Sequence, residues 1–145
     1  MYKHILIATD GSELSRKAVT DGIQLAKALG ARITTVTVAK TQFPVVVEGI
    51  EIGPSAEERA QSANGQAARI LDEVSAEARR QGVRCEIVSA IDEHPHRTII
   101  DTVEARGCDL IVMASHGRRG IKALLLGSET QKVLTHSKTP VLVHR

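Results

Sequence analysis

Aromatic side chains are nearly missing: 145 residues include one Tyr, one Phe and no Trp. That excludes an aromatic core, and it excludes the row of exposed rings on which single-stranded nucleic acid stacks. The apolar content of 42% is therefore mainly Val, Ile, Leu and Ala, a palette that suits strands buried on both faces beneath helices. Cysteine is scarce too. Cys85 and Cys108 stand far apart with no C-x-x-C, each in an apolar run, and read as small core residues. Nothing calls for an oxidising compartment. Neither charge sign dominates: 19 Lys and Arg against 17 Asp and Glu give a formal +2, and the signs are interspersed. No polybasic stripe recommends nucleic acid as a partner. No apolar run approaches the roughly 20 residues of a membrane span, and the opening MYKHILIATD lacks the architecture of a signal peptide. The expectation is a cytoplasmic protein without membrane or nucleic-acid partners, one domain over residues 1–145.

What is present alternates. HILIAT (4–9) is a continuous apolar run, the mark of a strand covered on both sides. DGSELS turns the chain, and Ser12 can cap a helix whose Ala18, Val19, Gly22, Ile23, Ala26 and Leu29 recur at helical spacing before Gly30. RITTVTV (32–38) is a β-branched second strand. AKTQFPVVVEGIEIGP (39–54) has two prolines and two glycines around an apolar patch, and reads as a long excursion with room for a local extended piece. A helix from about Ser55 buries Ala67, Leu71, Val74 and Ala78 and stops at Gly82. VRCEIVS (83–89) is the third strand. DEHPHRTIIDTVEARG places Pro95 in the first turn of a helix on which Ile99, Ile100 and Val103 share a face. CDLIVMAS (108–115) is the fourth strand, a helix starts near Ser128, and PVLVH (140–144) is the fifth. Five strands and four helices in alternation imply an α/β fold of βαβ units with one parallel sheet. Ligands of such sheets sit beyond the carboxyl ends of the strands, where the strand order reverses.

Two strand-to-helix loops stand out. ATDGS follows the first strand. MASHGRRGIKALLLGS follows the fourth and carries Gly117, Gly120 and Gly127. Ser128-Glu129-Thr130-Gln131 reads as the capping box S-x-x-Q. A helix N-terminus offers unpaired N–H groups and a partial positive charge to an anion, and Gly127 would let a phosphate approach without a Cβ in the way. Arg118, Arg119 and Lys122 could add attraction. The alternative is architectural: glycines for turns, a capping serine and a solvated cationic face. Neither G-x-G-x-x-G nor G-K-(S/T) is present.

DLIVMASHGRRG, the GSETQKVLTHSKTPVLVHR block and MYKHILIATDGSELSRKAV together resemble the universal stress protein family along the length of the chain, least over residues 40–65. The nucleotide-binding branch of that family carries G-x2-G-x9-G-(S/T). Gly117, nine residues, Gly127 and Ser128 match, while Ala114 replaces the first glycine. The resemblance implies a Rossmann-like, doubly wound five-stranded parallel sheet of order 3-2-1-4-5 with four helices. It also implies a homodimer paired through the C-terminal strand, and a site for ATP or a related adenine nucleotide, with Mg2+ as an optional companion. Ala8, Thr9 and Asp10 would lie near base and ribose, Val38 would wall the adenine and Met113 would line the site. Ala114 and Gly117 would border ribose and phosphates. Gly127, Ser128, Glu129 and Thr130 would hold the phosphates, largely through backbone N–H groups.

Several residues have duller readings. Asp10 can be a ligand contact or a helix N-terminal carboxylate. His116 reads as a hydrogen-bonding turn residue, and His94 and His96 as a helix start rather than a metal pair. Ile121, Leu124, Leu125 and Leu126 read as packing beneath the loop. No paired carboxylates and no nucleophile with its base are visible, so a stress-response sensor or accessory protein is expected, with slow ATP hydrolysis at most. The competing readings are a nucleotide-free dimeric scaffold, a slow hydrolase of the adenine-nucleotide hydrolase superfamily, which would want paired glycines in TDGSELS, and a phosphoacceptor receiver domain, which would want an acidic cluster there.

Overall fold

The computed structural model describes residues 1–118 and 125–145. In chain order the elements are β1 (His4–Ala8), α1 (Glu13–Leu29), β2 (Arg32–Ala39), β3 (Val45–Val47), β4 (Ile50–Ile52) and α2 (Ala56–Arg80). Then follow β5 (Cys85–Ile91), α3 (Pro95–Arg106), β6 (Leu110–Ala114), α4 (Ser128–His136) and β7 (Val141–His144). Five strands form one parallel sheet in the order β5-β2-β1-β6-β7. This is the expected 3-2-1-4-5 order once the two additional strands enter the numbering.

Side-chain alternation along β1 divides the core. Ile5 and Ile7 point to one face with Ile33, Leu110 and Val112, where Val19, Ile23 and Ala26 of α1 and Val74 and Ala78 of α2 cover them. Leu6 and Ala8 point to the other face with Val36, Ile111 and Met113, under Ile99 and Val103 of α3 and Val133 of α4. β1 and β6 are buried at every position. Each fully buried Ile or Leu stabilises the fold by about 1.5–3 kcal/mol. Gly22 sets how closely α1 can approach: a Cβ there would stand 2.8 Å from Ile7 Cδ1.

Helix ends follow the sequence signals. Ser12 caps α1 by accepting from Ser15 N (3.3 Å), and Gly30 closes it at φ 64°. Ser55 and Glu58 form a reciprocal capping box on α2. Pro95 opens α3, whose buried face is Ile99, Thr102 and Val103, with Ile100 only half-buried.

The third strand begins at Cys85, two residues later than expected, because Val83 N–H is drawn into the closing turn of α2 by Ala78 O (2.8 Å). The fourth is confined to Leu110–Ala114; just ahead of it, the Asp109 carboxylate accepts from Lys3 N (2.8 Å) and His4 N (3.0 Å) and pins the entry to β1. The excursion holds an antiparallel hairpin, β3–β4, whose two-residue turn Glu48-Gly49 has φ of 49° and 79°. Positive φ at both turn positions matches the strand twist of a tight hairpin. Phe43, Val45, Val46, Ile50 and Ile52 on and beside the hairpin are exposed. No helix among the described residues is long and apolar enough to cross a membrane.

Candidate functional site

Strand order reverses between β1 and β6, and a crevice of about 970 Å³ opens beyond their carboxyl ends. Ala8, Thr9 and Asp10 reach it from β1, Val38 from β2, and Met113, Ala114 and Gly117 from the end of β6. Gly127, Ser128, Glu129 and Thr130 reach it from the start of α4. Residues far apart in the chain are thus gathered along one wall. Arg119, Gly120, Ile121, Lys122 and Leu124 lie outside the described residues. Leu125 is 72% exposed, so the expectation that it packs beneath the loop does not hold.

The floor is a polar lattice. Thr9 Oγ1 accepts from Ser15 Oγ (2.6 Å) and Gly11 N (3.2 Å), while Thr37 Oγ1 donates to Thr9 O (2.6 Å). Asp10 joins the two loops. Its Oδ1 accepts from Ser12 N (3.0 Å) and its Oδ2 from Arg118 N (2.9 Å). The carboxylate therefore fixes the glycine loop directly, in addition to facing the crevice.

This clasp gives Gly117 its reason. A Cβ on Gly117 would collide with Asp10 Oδ2. Gly127 has a reason within the loop itself. A Cβ there would stand 3.2 Å from His116 Cα and 3.2 Å from Ser115 O, so the glycine lets two backbone segments of the loop meet. Gly127 N donates to Ser115 O (2.7 Å) across that contact. His116 Nδ1 lies 3.2 Å from Ser115 Oγ, in keeping with a turn residue.

The capping box expected at Ser128 is not formed. The chain enters α4 with Gly127 as N-cap (φ −60°, ψ 153°), and no side chain caps the helix. Ser128 is already the first helical residue, so its hydroxyl stands one position too late to serve the third N–H. Gln131 instead donates back to Leu126 O (2.9 Å). The N–H groups of Ser128, Glu129 and Thr130 have no hydrogen-bond partner among the described residues, and the fourth, Gln131 N, bonds Gly127 O (3.0 Å). Thr130 Oγ1 donates to Ala114 O (2.9 Å) and anchors this helix start to the end of β6.

Glu129 does more than lend an N–H. His94, the N-cap of α3, makes no side-chain cap bond, and Pro95 has no N–H. The first free donor of α3 is His96 N, which bonds Glu129 Oε2 at 3.0 Å, with His96 Nδ1 3.3 Å from the same oxygen. One carboxylate thus serves the N-terminus of a neighbouring helix, with Lys132 and Lys40 at 3.5 and 3.9 Å. Burial alone would raise the Glu129 pKa; the His96 N–H and the lysines outweigh it and hold the carboxyl below its ordinary value. Glu129 is ionised at neutral pH.

The whole chain, residues 1–145, matches the sequence model of the universal stress protein family. The chain belongs to that family. Universal stress protein YxiE of Bacillus subtilis is 31% identical over 149 residues, spanning all of both chains. The solved structure of MJ0577, a universal stress protein of Methanocaldococcus jannaschii, is similar with a TM-score of 0.80 at 28% identity, over 99% of this chain and 96% of that one. A universal stress protein in complex with cAMP is similar with a TM-score of 0.72 at 26% identity, over 99% and 97% of the two chains.

In this universal stress protein the crevice also takes in residues that sequence reasoning missed, among them Lys40, Phe43, Arg59, Gln66 and Ile70. They come from the excursion and the stretch of α2 up to Ile70, where no motif marks a site. The Glu129–His96 link had one faint signal: a helix opened by Pro95 after a residue that does not cap it. Among the described residues no group of three His, Cys, Asp or Glu side chains could hold a metal ion.

Proposed function

We propose that this universal stress protein binds an adenine nucleotide, ATP or a relative of it, in the crevice between the β1 and β6 loops, and serves as a nucleotide-responsive accessory of the stress response in the cytoplasm. The observation that carries the reading is the start of α4. Three first-turn N–H groups without a described cap, on a helix anchored to β6, line the crevice beside the glycine loop. Such groups and the helix dipole favour a phosphate. The cAMP complex of the related protein supports the adenine class. Base and ribose would lie over Ala8, Thr9 and Val38. Ala114, in place of the branch's first glycine, is buried and leaves the N–H array intact. Asp10 holds the loop through Arg118 N, and each of its oxygens, accepting one bond, keeps a lone pair that a ribose hydroxyl could use. Magnesium would accompany a polyphosphate rather than sit in a cage of protein ligands.

The test removes one N–H and nothing else of the fold. Proline is favoured at the first helical position, and Gly127, at ψ 153°, already has the extended conformation required before proline. Ser128→Pro should keep the melting temperature and weaken nucleotide binding about tenfold, the worth of a charge-assisted hydrogen bond. Ser128→Ala, which removes only the hydroxyl, should weaken it far less. Isothermal titration with ATP, AMP and cAMP, with and without magnesium, reads both. Binding by Ser128→Pro equal to wild type, or no nucleotide bound by the unmodified protein at millimolar concentration, overturns the reading.

A further inference from the structure

His96 lies against the Glu129 carboxylate, which lines the crevice, and between two further histidines. His96 and His136 stack with ring centroids 5.7 Å apart, and His94 meets His96 edge-on at 6.0 Å. The His96 side chain is 14% exposed and that of Glu129 23%. The charged and titratable groups around His96 and its Glu129 partner come from α3, the turn before it, α4 and the segment after β2. The helix of His96 presents His94, with Arg97 next in sequence. The turn before α3 presents Asp92, already occupied by His94 N (2.9 Å) and Thr98 Oγ1 (2.7 Å). α4 presents Glu129, Lys132 and His136, and the segment after β2 presents Lys40.

These charges oppose one another around one imidazole. Glu129 favours an imidazolium at His96. Lys40, Lys132 and the positive end of α3 disfavour it, and a proton on the stacked His136 would disfavour it further. One carboxylate already serves two lysines, a helix N-terminus and this imidazole. An anion at the first turn of α4 changes that balance. It adds negative charge beside Glu129, whose Oε2 is 3.3 Å from His96 Nδ1. In a partly buried, weakly screened site the added charge favours proton uptake.

We propose that His96 is a positioning residue that couples anion binding to proton uptake: an imidazolium at His96 fixes the Glu129 carboxylate against α3, turned from the start of α4, so the crevice takes an anionic nucleotide more tightly as pH falls. The inference rests on the nucleotide reading above and names a regulation of that site. By linkage, a ligand that raises the affinity for a proton is itself bound more tightly when the proton is present. With the imidazole neutral, the His96 backbone N–H still donates to Glu129, so the effect is graded rather than a switch between bound and unbound.

The probe is cAMP, a phosphodiester whose charge is constant over the range, so any pH dependence belongs to the protein. Adenosine is the uncharged control. Affinity for cAMP should rise about three- to tenfold between pH 8 and pH 5.5. Calorimetry at pH 6.5 in two buffers of different ionisation enthalpy should show net proton uptake on binding. Adenosine should bind with a flat profile. His96→Gln, which keeps the backbone N–H on Glu129, should bind cAMP with a flat profile and no proton uptake. His116→Gln, which removes the histidine that lines the crevice itself, should keep the slope. A flat wild-type profile, a slope lost in His116→Gln but kept in His96→Gln, or the same slope for adenosine overturns the coupling and leaves the nucleotide reading standing. Failure of cAMP, AMP and ATP to bind at any pH overturns both.

Discussion

His4 opens β1 at 4% exposure, with Nε2 2.7 Å from Thr34 Oγ1 and Nδ1 without a partner among the described residues. Burial first, then the nearby Arg32 charge, depresses its pKa below the ordinary 6.5. The sign follows. Above pH 6.5 the imidazole is neutral folded and unfolded, and stability is full. As pH falls from 6.5 toward the depressed folded value, the unfolded chain takes up a proton that the folded chain refuses, and stability is lost. Urea unfolding at a series of pH values should show this decline, with His4→Gln shallower across the same window. Residue identities elsewhere were legible while several reasons were not. Gly117 and Gly127 stood out in the sequence, but the Asp10 clasp and the His116 contact that require them join positions with no local pattern. Ser128 looked like a cap because S-x-x-Q is a local signature. The chain's extended entry at Gly127, which moves the cap one residue back, leaves no mark in composition.

Elements were the most readable scale, since two-sided burial writes unbroken apolar runs and helix faces repeat at fixed spacing. β1, β2, β6 and the four helices follow from those periods. The β3–β4 hairpin does not: its strands are three residues each and exposed on both faces, so no alternation between core and solvent exists to be read. The most testable element is α1. Gly22 lies mid-helix, where Ala would gain about 1 kcal/mol of helix propensity, yet the new Cβ would press on Ile7 Cδ1, which is fully buried. Overpacking of that kind costs about 1–3 kcal/mol. Gly22→Ala should therefore destabilise by about 1 kcal/mol in urea unfolding. In an Ile7→Val background, which deletes Cδ1, the same change should be neutral or stabilising. A gain in the wild-type background would mean that the helix can shift off the sheet.

At the scale of the molecule, the sheet has two edges of unlike character. β5 carries Glu86, paired with Arg106 at 2.8 Å, a charge that discourages strand addition. β7, Val141–His144, runs VLVH with Leu142 41% exposed and no Lys, Asp or Glu. The homodimer that the family resemblance leads us to expect would use this second edge. Sedimentation velocity should find a dimer, and Leu142→Arg should yield a folded monomer; a wild-type monomer at micromolar concentration would remove the edge from consideration. The hairpin stands apart from both edges. β3 and β4 pack chiefly on each other and bury none of their apolar side chains, so the sheet's stability places almost no constraint on what they are. Substitutions there escape the purge that acts on a core. A segment at the rim of the crevice is thereby left free to drift, and descendants of this chain can acquire new recognition at that rim while inheriting the fold unchanged.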